Sequence, residues 1–472
     1  MTVSLIFIPI VLVMLLNVPR LSGRFAYFIA MAYFIYQLIS VFFPYAGSQQ
    51  LAEIISKFFV LNVYADGISK IMIISASIVA FASLMTSKVF AKSDGRLFSL
   101  SNLMLLSIAG INGLVFARDI FTMYVFIEVI AVASYIMITI DKTEGALEGG
   151  FKYLMISSIA TAMMLFAVAL FFLTAGGTGF EDIAAAIRNF GGNYLLLAAI
   201  MLFIAGLFIK GGLMPFHAWL PGAYSQAPAG VSVFLGGIVT KTAGIFTLIR
   251  FFYSATGFNE NMKTVLLFVG AFSVIVGAIA AITQKDFKKL LAYSSISQTG
   301  YIVLALGAGT AFAIAAALFH IFNHAVFKAQ LFINSASVEK QTGRLDADTF
   351  GGLGYKMPIT SGTTAIAFLS ASGIPPFAGF WSKLLIILAL WSASCKGYAM
   401  IAILASILTM AYFLSFQKKV FFGELAPGLE NVKEAPLPLI APAVVLCAIT
   451  IAAGLFFPYI LQYLIFPAVG II

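Results

Sequence analysis

The chain has 472 residues, 62% hydrophobic and only 10% charged, with a mean hydropathy of +1.05. Soluble domains carry about 25% charged residues, so a water-soluble fold of this length is excluded and the bilayer is the natural solvent. The net charge of +9 then indicates basic loops beside a membrane, not nucleic acid. The two distant cysteines, Cys395 and Cys447, exclude a Cys-ligated cluster or a disulfide framework within the chain.

Residues 3–18 are apolar, and Arg20 and Arg24 follow them. With no positive charge ahead, this reads as a first spanning helix with its N-terminus outside, not a signal peptide. Further apolar stretches long enough to span lie at 24–43, 67–90, 98–117, 119–140, 150–174, 193–214, 229–252, 263–283, 289–308, 311–338, 360–391, 398–421 and 437–457. Hydrocarbon offers no partner to a free backbone N–H or C=O, so these segments are helices. The expected fold is an all-α integral membrane protein of about 14 transmembrane helices. Alternation from an outside start places sixteen lysines and arginines in inner loops. Seven fall in outer loops or at outer helix ends: Lys57, Lys70, Arg118, Arg188, Arg250, Lys263 and Lys396. That bias predicts both termini outside, in a prokaryotic cell (inner) membrane.

Two spans are interrupted. Residues 211–222 read GGLMPFHAWLPG and residues 373–382 read GIPPFAGFWS. Proline inside a helix removes a hydrogen bond and clashes with the preceding turn. Each break carries Pro-Phe shortly before Trp, as Pro215-Phe216 with Trp219 and Pro376-Phe377 with Trp381. Ordinary kinks are common in membrane helices, but paired breaks five helices apart suit inverted repeats. The expected organisation is 1–97 for the first three helices, 98–252 and 263–421 for two inverted five-helix repeats, each with a broken helix, and 437–472 for a last helix and short tail.

Four cations remain inside predicted spans: Lys210, Lys241, Lys328 and Lys383. Glu128 is the one acid deep in a span. Each mid-membrane charge costs roughly 2.5–3.5 kcal/mol, and five cost on the order of 10 kcal/mol. Lys383 lies near enough to a helix end to snorkel; Lys241 does not. Lys210 precedes Gly211-Gly212, where freed carbonyls could solvate an ammonium. Burial disfavours a charged amine and a carboxylate favours it, so a buried lysine beside Glu128 could exchange a proton with bridging water. The blander reading of Glu128 is a static salt bridge, which itself needs a lysine within the bilayer. His320, His324 and Lys328 fall at i, i+4 and i+8, on one helix face. Imidazole takes a proton at one nitrogen and releases it at the other. The same pair could ligate zinc only with at least a third protein ligand, and none stands on this helix. His217, at the first break, serves either as a relay or as a helix cap. Sodium wants oxygen ligands, which Glu128 and break carbonyls could offer.

Four stretches carry a resemblance: FIKGGLMPFHAWLPGAYSQAPAGVSVFLGGIVTKTAGIFTLIR (208–250), QKDFKKLLAYSSISQTGYI (284–302), FHIFNHAVFKAQLF (319–332) and SGIPPFAGFWSK (372–383). The chain resembles the antiporter-like subunits shared by respiratory complex I, membrane-bound hydrogenases and Mrp-type sodium/proton antiporters. The resemblance implies an ion pair between Glu128 and Lys210 that controls lysine protonation. It implies relay roles for Lys241, His320, His324 and Lys328, and a terminal role for Lys383. Two of the stretches look like the largest complex I subunit, which carries a long lateral helix. Only about fifteen residues follow the last predicted span, so the shorter subunits match better by size. Lys383 in place of glutamate leans toward the Mrp or hydrogenase groups.

The expected function is proton translocation within a redox-driven complex of the hydrogenase or NADH/quinone oxidoreductase type. One alternative is an Mrp-type Na+/H+ antiporter subunit, another a coupling subunit for inorganic-carbon uptake, and the blandest an inactive scaffold. Haem pairs, cluster ligands and nucleotide motifs are absent from the sequence, so no cofactor is expected in this chain. Expected partners are other membrane subunits, a soluble redox arm, protons or Na+, and membrane lipid.

Overall fold

A computed structural model describes residues 2–18, 21–43, 62–190 and 192–471. Arg20 and Lys57, both used in the charge count, lie outside the described residues. Within them the chain is helical, and its only β-type pairings are three isolated bridges.

The spanning elements are α1 (Thr2–Asn17), α2 (Gly23–Ser40), α3 (Gly67–Phe90), α4 (Asp94–Phe116), α5 (Ile120–Thr139), α6 (Glu144–Ala175), α7a (Tyr194–Lys210) with α7b (Trp219–Gln226), and α8 (Ala229–Thr256). They continue as α9 (Glu260–Ile282), α10 (Phe287–Gly307), α11 (Ala311–Thr342), α12a (Pro358–Ser372) with α12b (Ala378–Ser392), α13 (Lys396–Phe421) and α14 (Leu437–Leu455). Ten are long and apolar enough to cross a membrane unaided. With α1, α2 and the two interrupted elements, the described residues hold the fourteen expected spans.

The short polar gaps do a defined job. Asp66, Ser93, Asp119, Thr143, Asn193, Asn259, Asp286 and Thr310 each accept a hydrogen bond from a first-turn backbone N–H of the helix that follows. Such caps satisfy donors that lack an intrahelical partner. Hydropathy predicts no element between the sixth and seventh spans, yet Phe180–Phe190 is a helix. Glu181 and Asp182 in its first turn and Arg188 in its last complement its dipole. Short helical turns also continue past α14, through residues 457–468.

Helices α4–α8 and α9–α13 form two parallel series. Ile120, Glu144 and Ala229 open helices in the first, and Phe287, Ala311 and Lys396 open their counterparts, every pair at one constant offset. In each series the third helix has 32 residues and the fourth is broken. Even the isolated bridges correspond, Asp119 with Gly179 and Asp286 with Asp346. Each break holds one cis X-Pro bond, Met214-Pro215 and Pro375-Pro376. Five crossings reverse direction, so the second series runs opposite to the first, the inverted-repeat arrangement. Helix α8, the last of the first series, packs against α11 of the second; its apolar window is wholly buried, and those of α10 and α11 largely so. Helices α6 and α13 turn much of their surface outward, with Phe151, Phe166, Leu173 and Leu404 exposed as lipid-facing side chains.

Candidate functional site

Helix α7a stops at Lys210 because Gly212 turns the chain at φ 65°, a left-handed conformation open to glycine. The Leu213 N–H then reaches back to the Phe208 carbonyl at 3.0 Å. The Trp219 indole N–H donates to the Ile209 carbonyl at 3.1 Å, and its ring stacks on Tyr153 with centroids 4.3 Å apart. Broken backbone is thereby satisfied by protein, as a membrane interior requires. Trp381 at the second break differs: it stacks on Phe457 at 3.8 Å, and its indole nitrogen has no hydrogen-bond partner among the described residues.

The break aims Lys210 into α5 and α6. Its Nζ donates to Glu128 Oε1 at 3.0 Å and to Ser157 Oγ at 2.6 Å. Thr161 Oγ1 donates to the same carboxylate oxygen at 2.5 Å. Thus side chains, rather than the freed carbonyls the sequence suggested, hold the amine. The Lys210 side chain is 1% exposed and that of Glu128 30%. Glu128 is mid-helix on α5, as expected, with its carboxylate on the flank of the bundle.

Helix α8 contains three π-helical stretches, Leu235–Val239, Lys241–Phe246 and Phe252–Thr256. Such wide turns gather at functional sites. Fully buried Lys241 donates from Nζ to the Gly236 carbonyl. Gly244, one turn on, touches the break: a Cβ there would lie 2.3 Å from the Gly211 nitrogen. That contact fixes the Lys241 stretch against the end of α7a.

On α11, His320, His324 and Lys328 are all fully buried. His320 Nδ1 pairs with Ser382 Oγ at 2.9 Å, and the two imidazole centroids are 6.1 Å apart. Neither nitrogen of His324 has a hydrogen-bond partner among the described residues. His324 lies within electrostatic range of Lys241 and Lys328, and His320 within range of Lys383 and Lys241. Lys328 donates to the Leu291 carbonyl at 3.0 Å and to Ser294 Oγ. Lys383 does not snorkel: it is buried, with Nζ 4.6 Å above the Tyr301 ring. It lines a cavity of about 240 Å³ together with Ser372, Ser406 and Met410.

Sequence reasoning missed a second set of buried polar groups here. Tyr412 stands beside Ser294, Gln298 and Thr409, and the Tyr301 hydroxyl meets Ser406 Oγ at 2.9 Å. Ser294, Tyr412, Tyr301 and Ser406 lie between Lys328 and the Lys383 cavity, with the Tyr412 hydroxyl lacking a hydrogen-bond partner among the described residues. His217 stays apart from these groups. It is half-buried beside the first break, with Nδ1 3.3 Å from the Pro215 carbonyl and its ring 6.3 Å from that of Tyr293. Tyr293 also borders a polar pocket of about 300 Å³ lined by Glu148, Lys152, Gln226, Gln284 and Lys289. Among the described residues no group of three or more His, Cys, Asp or Glu side chains gathers as for a metal.

Arg250, counted at an outer helix end, is fully buried there against Asp66 at the start of α3. Its guanidinium donates to Asp66 Oδ2 at 2.5 Å and Oδ1 at 2.9 Å, and Arg118 adds a bond at 3.0 Å. Burial alone would push the Asp66 carboxyl up, but the hydrogen bonds and charge of Arg250 outweigh it and hold the group well below the usual carboxylate range.

Residues 117–409 match the family model described as NADH:quinone oxidoreductase/Mrp antiporter, TM. The chain belongs to this family. A Na+/H+ antiporter subunit of Alkalihalophilus pseudofirmus is 31% identical over 400 residues, covering 84% of this chain and 81% of that one. An NADH-quinone oxidoreductase subunit of Desulforudis audaxviator is 32% identical over 368 residues, covering 75% and 73%. In fold, a chain of the Mrp complex from Dietzia sp. DQ12-45-1b matches with a TM-score of 0.89 at 22% identity, over 99% of this chain and 96% of that one. The resemblance drawn from the four stretches is borne out, as is the architecture of a multi-pass membrane subunit. Family members of this fold work as antiporter-like subunits of multisubunit complexes.

Proposed function

We propose that this chain moves protons through Glu128, Lys210, Lys241, His324, His320, Lys328 and Lys383 as the ion-translocating subunit of a multisubunit membrane complex. The observation that carries the reading is the Glu128–Lys210 pair, 3.0 Å apart at the end of a broken helix. A carboxylate beside an amine lets the site hold a proton with little net charge in a medium that penalises charge. Lys241 then passes the proton from the break toward the imidazoles, and Lys383 delivers it to its cavity. His217, beside the polar pocket at the first break, serves as an entry group. On this reading 98–252 and 263–421 are the two transport units, with 1–97 and 437–472 as flanks. The excess of basic inner loops supports an inner-membrane location with both termini outside.

The redox-driven complex is the first reading of the partner, supported by the Desulforudis oxidoreductase relative, with the redox centre in another subunit. Na+/H+ exchange is the second, supported by the Alkalihalophilus antiporter relative, which covers more of the chain than the oxidoreductase relative does. Isolation of the native complex, identification of its subunits by mass spectrometry and measurement of H+ and Na+ flux in vesicles decide between them. Redox subunits with donor-dependent proton flux support the first, and small antiporter subunits with sodium-coupled flux the second. A complex that moves neither ion would sink both.

A further inference from the structure

A groove of about 400 Å³ runs between α2, α3 and α14, with walls that include Ile35, Leu38, Ile78, Phe81, Met85 and Val445. No charged side chain lines it. Its lip at one membrane end is different. Ile78, Phe81, Met85 and Lys88 share one face of α3, and Arg24, Phe28 and Ile35 share one face of α2. The start of α2 and the end of α3 meet at that end, where the Gly23 N–H donates to Asp94 at 2.6 Å. Lys88 Nζ sits 4.7 Å from the Tyr27 ring centroid and 5.6 Å from that of Phe28. Arg24 and Lys88 are both exposed, and neither forms an ion pair among the described residues. Asp94, the nearby acid, accepts from the backbone N–H groups of Gly23 and Arg24.

We infer that this groove binds an anionic phospholipid, with an acyl chain along α3 and the phosphate between Arg24 and Lys88. An apolar slot opening onto two unpaired cations and an exposed aromatic ring matches, in one molecule, the tail, the charge and the interfacial position of such a lipid. A helix from another subunit would fill the slot but would have to bring its own carboxylate to the lip. A zwitterionic lipid would fill it without a use for both cations. Two basic groups at the surface give a preference on the order of tenfold for the anionic headgroup.

The test places an indole in the groove of the full chain within its purified complex, as Ile35→Trp and separately as Val445→Trp, both exposed positions. Quenching by brominated phosphatidylglycerol is compared with quenching by brominated phosphatidylcholine, above the signal of the unmodified complex. The expected result is about tenfold more effective quenching by the anionic lipid in both variants. Adding Arg24→Gln and Lys88→Gln removes that preference, while quenching itself remains. An indole at lipid-facing Ile279 on α9, made as Ile279→Trp, shows no preference. Equal quenching by the two lipids in the parent variants overturns the assignment. So does an indole that neither lipid reaches, which would show that protein covers the groove.

Discussion

Replacing Glu128 by glutamine removes one charge and little else. Glutamine keeps the volume and an acceptor oxygen for Lys210 and Thr161. Opposite charges 3.0 Å apart attract by about 5–6 kcal/mol at an effective dielectric near 20. The Glu128 side chain is 30% exposed, so screening leaves a smaller share, about 2–3 kcal/mol. If the pair gates proton occupancy of Lys210, Glu128→Gln slows flux on the order of a hundredfold. Lys210→Met should do the same. Because two partners in one ion pair act as a unit, the double variant should be no worse than either single one. The assay is the initial rate of acidification in vesicles holding the intact complex, read by a trapped pH dye and normalised to assembled complex. Full transport in both single variants would refute the relay. Losses that multiply in the double variant would refute the pairing and leave two independent roles.

Lys241→Met should abolish most proton flux in the same vesicles, whereas Lys263→Met, at a partly exposed lysine that pairs with exposed Glu260, should leave it unchanged; equal effects would count against a role for α8. Tyr412→Phe should lower flux modestly alone and remove what remains in His324→Ala, if hydroxyls and imidazoles are parallel routes from Lys328; no added loss in the double variant would eliminate the hydroxyl route. Asp66→Asn leaves Arg250 buried and unpaired, at a cost of about 3–5 kcal/mol, seen as a lower unfolding temperature of the purified chain. The folded carboxyl of Asp66 is held below its ordinary value of about 3.9. Its contribution is therefore complete above that pH and lost as pH falls through the lower folded value, so wild type and Asp66→Asn should converge in stability in strong acid.

Much of this was legible because a membrane leaves few options. Apolar length gave the spans, and Gly211-Gly212 and Pro375-Pro376 gave the breaks. The expense of an ammonium in hydrocarbon singled out Lys210, Lys241, Lys328 and Lys383. What stayed hidden depends on azimuth or on distant partners. Position along α5 gives the depth of Glu128 but not the direction it faces, because that helix is apolar on all sides. The burial of Arg250 was hidden because Asp66, far away in sequence, gave no sign of being its partner. Ser157, Thr161 and Ser294 carry no signal of their own, since small hydroxyls often satisfy themselves on the preceding turn of a membrane helix. The helix Phe180–Phe190 is too short for a span and reads as a loop.

The constant offset between the two helix series has a consequence for what each half can store. Carried across it, Glu128 falls on Ser295, and Tyr153, Ser157 and Thr161 fall on His320, His324 and Lys328. One scaffold thus presents an acid and a base to each other in its first copy, and a crowd of bases in its second. The first copy can keep plus and minus side by side and remain electrically silent. The second has no counter-ion at the matching place, so a proton settling on one of its bases repels the next arrival. On the proposed relay, protons would therefore cross that half one at a time.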